Sequence, residues 1–231
     1  MNKNINVDLD SIVREAVSKT VVASGLSEAY VAEPKQFKQL SDSVSSKSKE
    51  AHAALYKGYV ESLNKVSSEL DAVERDQANP RHSQFRTLKL DEAYNANAVY
   101  LHELHFSNCF DPGSQVYMDS MPYIRLQRDF GTFDDWQHDF IACALSANQG
   151  WAVCGYSAYL KRFVNAVIDL HSQNVMVGFF PVIVLDVWDH ASYTDYPNKK
   201  QDYVVKMMEE LNWKVIDDRF QKVEKLIEAL R

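Results

Sequence analysis

Apolar positions recur with two periods along this chain, a helical one over most of its length and an alternating one in a stretch after Gly150. In residues 8–24, Val13, Val17 and Val21 share one stripe, which predicts a short amphipathic helix capped by Asp10 or Ser11 and ended by Gly25. A linker containing Glu33-Pro34 follows. The plainer reading of this extension is a segment that covers its own core. The sharper one is a docking segment, through which residues 1–33 would join a larger assembly.

From Ser41 to about Ala78 the pattern predicts a long helix, with His52, Tyr56, Tyr59 and Leu63 on one face at i, i+4, i+7 and i+11. Residues 79–88, with Pro80, read as a loop. A second helix from about Leu90 to Asn108 puts Tyr94, Ala98, Leu101, His102 and His105 on its inner side. Two long helices joined in this way predict an antiparallel helical hairpin. Asp111-Pro112-Gly113 breaks the chain, and 115–147 reads as mainly helical with a turn at Phe130-Gly131-Thr132.

Trp151–Tyr159, Phe163–His171 and Phe180–Val187 are rich in Val, Ile, Phe and Tyr, and predict a three-stranded antiparallel sheet. Helices resume from about Asp202 through Met208 and from Val215 onward. The expected class is α+β, an N-terminal helical hairpin followed by a C-terminal domain whose sheet is flanked by helices. The corresponding division is an extension at 1–34, a hairpin domain at 35–112 and an α/β domain at 113–231.

Composition narrows the function. A net charge of −7 argues against a general nucleic-acid binder, which needs a basic face. No stretch approaches the roughly 18 apolar residues of a membrane span. The start, with Asp8, Asp10 and Glu15, is unlike a secretory leader, and three scattered cysteines form no disulfide framework. The expectation is a cytoplasmic protein that binds neither nucleic acid nor membrane.

The candidate chemistry is metal binding. In LDVWDH (185–190) a carboxylate, Asp186, ends an apolar run, where it is costly unless it is paired or coordinating. One turn would aim Asp186 and His190 at a common point, with Trp188 as a wall; a helix-capping Asp beside an unrelated surface His is the competing reading. In LHELHF (101–106), His102 and His105 lie three apart. The hairpin can bring His52 beside His102, as bundle-core metal sites do. Three imidazoles and one carboxylate suit iron or manganese at least as well as zinc.

The segment 179–220, containing LDVWDHASYTDYPNKKQDYVVKMMEELNWKVIDDRF, resembles the C-terminal signature of the iron/manganese superoxide dismutase family. RDFGTFDDW (128–136), QGWAVCGY (149–156), EAHAALYKGYVESLN (50–64) and LDEAYNANAVYLHELHFSN (90–108) match it in order. The resemblance implies one iron or manganese ion per chain held by His52, His102, Asp186 and His190. It implies Tyr59 as gateway tyrosine, Trp136 and Trp188 as cavity walls, and a homodimer formed through Asp189, His190 and Tyr193. The implied substrate is superoxide, steered by lysines such as Lys57, Lys199 and Lys200. Tyr56 stands where the family has a histidine. The family's outer-sphere glutamine positions fall on Ala98 and Ala147, which leaves Gln149, Asn97 or Asn95 as substitutes. That change, with the N-terminal extension, supports an alternative: a dismutase-like structural or assembly protein with lost or reduced catalysis.

Overall fold

The computed structural model describes residues 31–38, 40–109 and 114–229; the helix expected at 8–24, most of the N-terminal extension and the Asp111-Pro112-Gly113 break lie outside them. Helix α1 (Ser46–Ala72) starts at a Ser45 cap whose side chain accepts the Ser48 N–H. Helix α2 (Gln84–Cys109) begins earlier than its apolar pattern suggests. The reason is a second serine cap, Ser83, whose Oγ accepts from Arg86 N–H at 3.2 Å and brings half of the expected 79–88 loop into the helix. The two helices pack as a hairpin, burying His52, Tyr56, Val60 and Leu63 of α1 against Ala98, Val99, His102 and Phe106 of α2.

The expected 115–147 helical stretch is two helices, α3 (Met121–Phe130) and α4 (Phe133–Ser146). Gly131 stops the first at φ 98, a left-handed conformation that costs glycine little. Thr132 starts the second by accepting the Asp135 N–H at 2.9 Å. The sheet follows as β1 (Gly150–Ser157), β2 (Arg162–Asp169) and β3 (Phe179–Asp186), antiparallel in the order β2-β1-β3. A four-residue turn of helix, α5 (Asp189–Ser192), then leads to α6 (Lys200–Glu209) and α7 (Trp213–Ala229). This is the α+β architecture read from the pattern.

Every residue of the central strand β1 is buried, because both faces of the sheet are covered. Trp151 and Val153 point to one face, where they pack with Ile168, Val184 and the α2 residues Leu101 and Leu104. Ala152, Cys154 and Tyr156 point to the other, towards Trp136 and Phe140 of α4 and Phe220 of α7. The first face holds the candidate site. Among the described residues no helix is long and apolar enough to cross a membrane.

Two glycines test this packing in opposite directions. A Cβ on Gly150 would stand 2.0 Å from the Ile168 carbonyl oxygen of the paired strand, whereas one on Gly58, in α1, meets nothing within 4 Å. Denaturant unfolding should show Gly150→Ala losing on the order of 3 kcal/mol. Gly58→Ala should gain up to about 1 kcal/mol.

Candidate metal centre

Four side chains from four elements of the fold converge. His52 comes from α1, His102 from α2, Asp186 from the last residue of β3, and His190 from α5; one ligand atom of each lies within 4.8 Å of all the others. Asp186 Oδ2 is the common point: His52 Nε2 stands 3.1 Å from it, His190 Nε2 3.3 Å and His102 Nε2 3.7 Å. His102 and Asp186 are fully buried, His52 nearly so, and the His190 side chain keeps 25% of its exposure.

The protonation states suit a cation. Burial holds the His52 and His102 pKa values below the ordinary imidazole value, so both rings are neutral. Burial alone would raise the Asp186 pKa, but the adjacent His190 and His52 outweigh it and keep the carboxyl well below its usual range. The His102 tautomer follows from its backbone partner. Nδ1–H donates to the Ala98 carbonyl at 2.6 Å, which leaves the Nε2 lone pair facing Asp186. That Nε2 is buried with no hydrogen-bond partner, a cost that a coordinated cation would remove. Three imidazole nitrogens and one carboxylate oxygen fit iron or manganese, and no cysteine belongs to the group.

The second histidine of LHELHF is not a member of this group. His105 lies behind it, its Nδ1 at 3.3 Å from the Asp186 backbone N–H, and burial lowers its pKa to about 3. The same Nδ1 lies 3.4 Å from the Val184 carbonyl, so it faces both a donor and an acceptor of β3. Beside the ligands, Tyr59 sits with its ring 5.3 Å from that of His102. Trp188 stacks on His190 at 5.5 Å and forms a wall of the site.

Three expected residues stand elsewhere. Trp136 is on the opposite side of the sheet: its indole donates to Asn165, which pairs with Cys154, and it packs on Phe133 and Trp213. Strand alternation assigns the wall to Trp151, whose ring is 4.8 Å from His102. The hydroxyl of Tyr56 points away from the ligands, donating to Glu103 Oε1 and accepting from Lys35 N–H, both at 3.0 Å. Tyr56 therefore fastens the segment before α1 to the hairpin. Gln149 precedes β1 and is exposed, while Asn95 is turned to the Asp91 carbonyl of its own helix. Of the suggested steering lysines, Lys57 pairs with Glu61 and Lys200 donates to the Ala147 carbonyl.

The residue that occupies the place sought for a glutamine is His171. It is fully buried in the turn after β2, where Leu170 at φ 49 and His171 at φ 61 redirect the chain. Its Nε2 is 3.0 Å from Tyr59 Oη, its Nδ1 is 2.9 Å from Trp151 Nε1, and its ring stacks on Trp188 at 5.0 Å. An indole nitrogen only donates, so His171 Nδ1 must be the acceptor and Nε2 must carry the hydrogen. Burial, the largest influence, lowers the His171 pKa to about 4 and keeps the ring in this neutral form. Nε2–H then donates to the Tyr59 oxygen, and the Tyr59 hydroxyl keeps its own hydrogen to donate. Burial also raises the Tyr59 pKa, so the phenol stays protonated. The sequence pattern placed His171 at the end of the expected strand Phe163–His171, whereas the strand stops at Asp169 and His171 lies in the turn beyond it.

Nitrogen-15 NMR of the metal-free protein should show His171 protonated at Nε2 near neutral pH. Trp151→Phe should convert it to a mixture of tautomers; a wild-type ring protonated at Nδ1 would contradict the assignment.

Comparison with known proteins agrees with this centre. Residues 123–219 match the family described as iron/manganese superoxide dismutases, C-terminal domain. The chain is 35% identical over 185 residues to a superoxide dismutase (Fe) of Aquifex pyrophilus, covering 79% of this chain and 84% of that one. It is 32% identical over 167 residues to a superoxide dismutase (Fe) of Cupriavidus metallidurans, covering 71% and 82%. With a superoxide dismutase (Mn) of Haloferax volcanii it shares 29% over 177 residues, covering 77% and 86%. With a buried three-histidine, one-aspartate group at its centre and this similarity along most of its length, the chain belongs to the iron/manganese superoxide dismutase family.

Proposed function

We propose that this protein is a superoxide dismutase, converting two superoxide ions and two protons into one oxygen and one hydrogen peroxide. The observation that carries the reading is the ligand group with its orphaned His102 Nε2, set beside the oriented Tyr59–His171 pair. Iron or manganese, one ion per chain, supplies the one-electron exchange with each superoxide when bound. The chain's own groups do the rest. Asp186 and the neutral imidazoles hold the cation and offset its charge. Trp151 and His171 fix which hydrogen Tyr59 has available, so a protonated phenol stands beside the centre where peroxide needs protons. Trp188 and Phe106, the latter 4.7 Å from the His52 ring, keep the surroundings apolar.

In the same reading the active species is a homodimer with an antioxidant role. Asp189 and Tyr193 flank the ligand His190 on the surface, Tyr193 at 56% exposure, which suits an interface next to the metal. The three cysteines are free, as a reducing cytoplasm would keep them.

Purified protein should contain about one iron or manganese ion per chain, with dismutation that tracks occupancy. His190→Ala should lose metal and activity together, by more than the roughly 100-fold that removal of an outer partner costs. Full metal content in that variant would sink the ligand assignment. Tyr59→Phe should keep its metal, by elemental analysis, and change turnover. Sedimentation at micromolar concentration should give twice the chain mass.

A further inference from the structure

The strand that delivers Asp186 is an edge strand. In the order β2-β1-β3, β3 has a neighbour on one side only, so its outer backbone groups need other partners. Side chains of α2 supply them. The fully buried amide of Asn108 answers both groups of one residue: its Oδ1 accepts the Val184 N–H at 3.1 Å, and its Nδ2 donates to the Val184 carbonyl at 3.0 Å. A residue of a fourth strand would do the same. One turn back along α2, His105 Nδ1 lies 3.3 Å from the Asp186 backbone nitrogen and 3.4 Å from the Val184 carbonyl oxygen. A further turn back, His102 places its Nε2 3.7 Å from Asp186 Oδ2. Residues 102, 105 and 108, spaced three apart, thus run along the edge that ends in the carboxylate ligand.

The Val184 N–H can only donate and its carbonyl only accept, which gives the amide one orientation, and Arg219 of α7 reinforces it. Its guanidinium donates to Asn108 Oδ1 at 2.9 Å, to the Val182 carbonyl at 3.0 Å, to the Leu104 carbonyl at 2.9 Å and to Ser107 Oγ. A guanidinium has no acceptor, so the Asn108 atom it touches must be oxygen, and the nitrogen must face the Val184 carbonyl. These Arg219 acceptors are uncharged groups belonging to α2 and β3, so the bonds tie the two elements together instead of neutralising a carboxylate. Burial lowers the Arg219 pKa to about 10, which leaves the cation charged at neutral pH.

We propose that Asn108, braced by Arg219, is a positioning residue for the metal: it sets the height of β3 against α2 and thereby the separation of Asp186 from His102. The role rests on the metal reading and acts on ligand geometry, with no contact to the ion itself. Asn108→Asp keeps an oxygen for Val184 N–H and Arg219 but loses the donor to the Val184 carbonyl, so two oxygens then oppose each other at the edge. Arg219→Lys cannot bridge the same four acceptors and so loosens the tie between α2 and β3 that braces the amide.

The test uses full-length protein loaded with Mn2+, at a temperature where circular dichroism shows each variant folded. Release of Mn2+ to excess chelator is followed by electron paramagnetic resonance, and the reduction midpoint of the bound metal is measured alongside. Asn108→Asp should release Mn2+ roughly tenfold faster or more and shift the midpoint. Arg219→Lys should move both in the same direction by less, and it carries the test alone if Asn108→Asp does not fold. Folded variants with the wild-type release rate and midpoint, even at a lower melting temperature, would overturn the positioning role while leaving the metal centre intact. Wild-type protein that takes up neither Mn2+ nor Fe2+ would overturn the metal centre and the positioning role with it.

Discussion

A carboxylate buried without solvent at the end of an apolar strand sets the terms for much of this structure. Asp186 has no exposed surface, and moving such a charge out of water costs several kcal/mol unless partners replace the lost hydration. Three imidazoles from two long helices and one short turn supply them, and their own burial keeps His52 and His102 neutral. A carboxylate held among three imidazoles, two of them neutral, is a poor arrangement by itself and a good one around a divalent or trivalent cation. The hairpin, the sheet edge and α5 meet where that cation would sit. The fold and the centre are therefore one problem with one solution, in which metal binding contributes to stability as well as to chemistry.

Around the ligands, donor-only groups fix the direction of the hydrogen bonds. The Trp151 indole sets the His171 tautomer, and through it the hydrogen that Tyr59 retains. The Val184 backbone fixes the Asn108 amide, and the Arg219 guanidinium reinforces it by donating to the same oxygen. In each case a group with only one hydrogen-bonding role sets that of a neighbour that can do either. Such orientation matters to a redox centre, because outer hydrogen bonds tune both the potential and the acidity of what is bound. The same groups also span the fold: Tyr59 and His171 are 112 residues apart, and Arg219 and Asn108 are 111.

Much of the architecture was legible in the residue pattern. The hairpin, the three strands and the later helices follow from period 3.6 giving way to period 2, since burial of one face imposes those spacings. The discrepancies are local. Ser83 extends α2 because one side-chain oxygen can answer a helix's free N–H, and Gly131 splits a helical stretch because it can turn left-handed. The ligands were legible for a related reason: Asp186 and His190 are close in sequence, and His52 and His102 occupy the inner faces of the paired helices.

The sequence by itself determined the class of fold, the four ligand types and, through its signature segments, the family. Only the tertiary structure decided what surrounds them. Trp151 rather than Trp136 walls the centre, because Trp151 points to the sheet face covered by α2 while α4, which carries Trp136, packs on the other face. Tyr56 turns outward to Glu103, and His171 takes the place sought for Gln149 or an asparagine. Period and spacing report which residues are buried, since burial acts on each element separately. The partner of a buried side chain is set by how distant elements cross, and no local pattern carries that information.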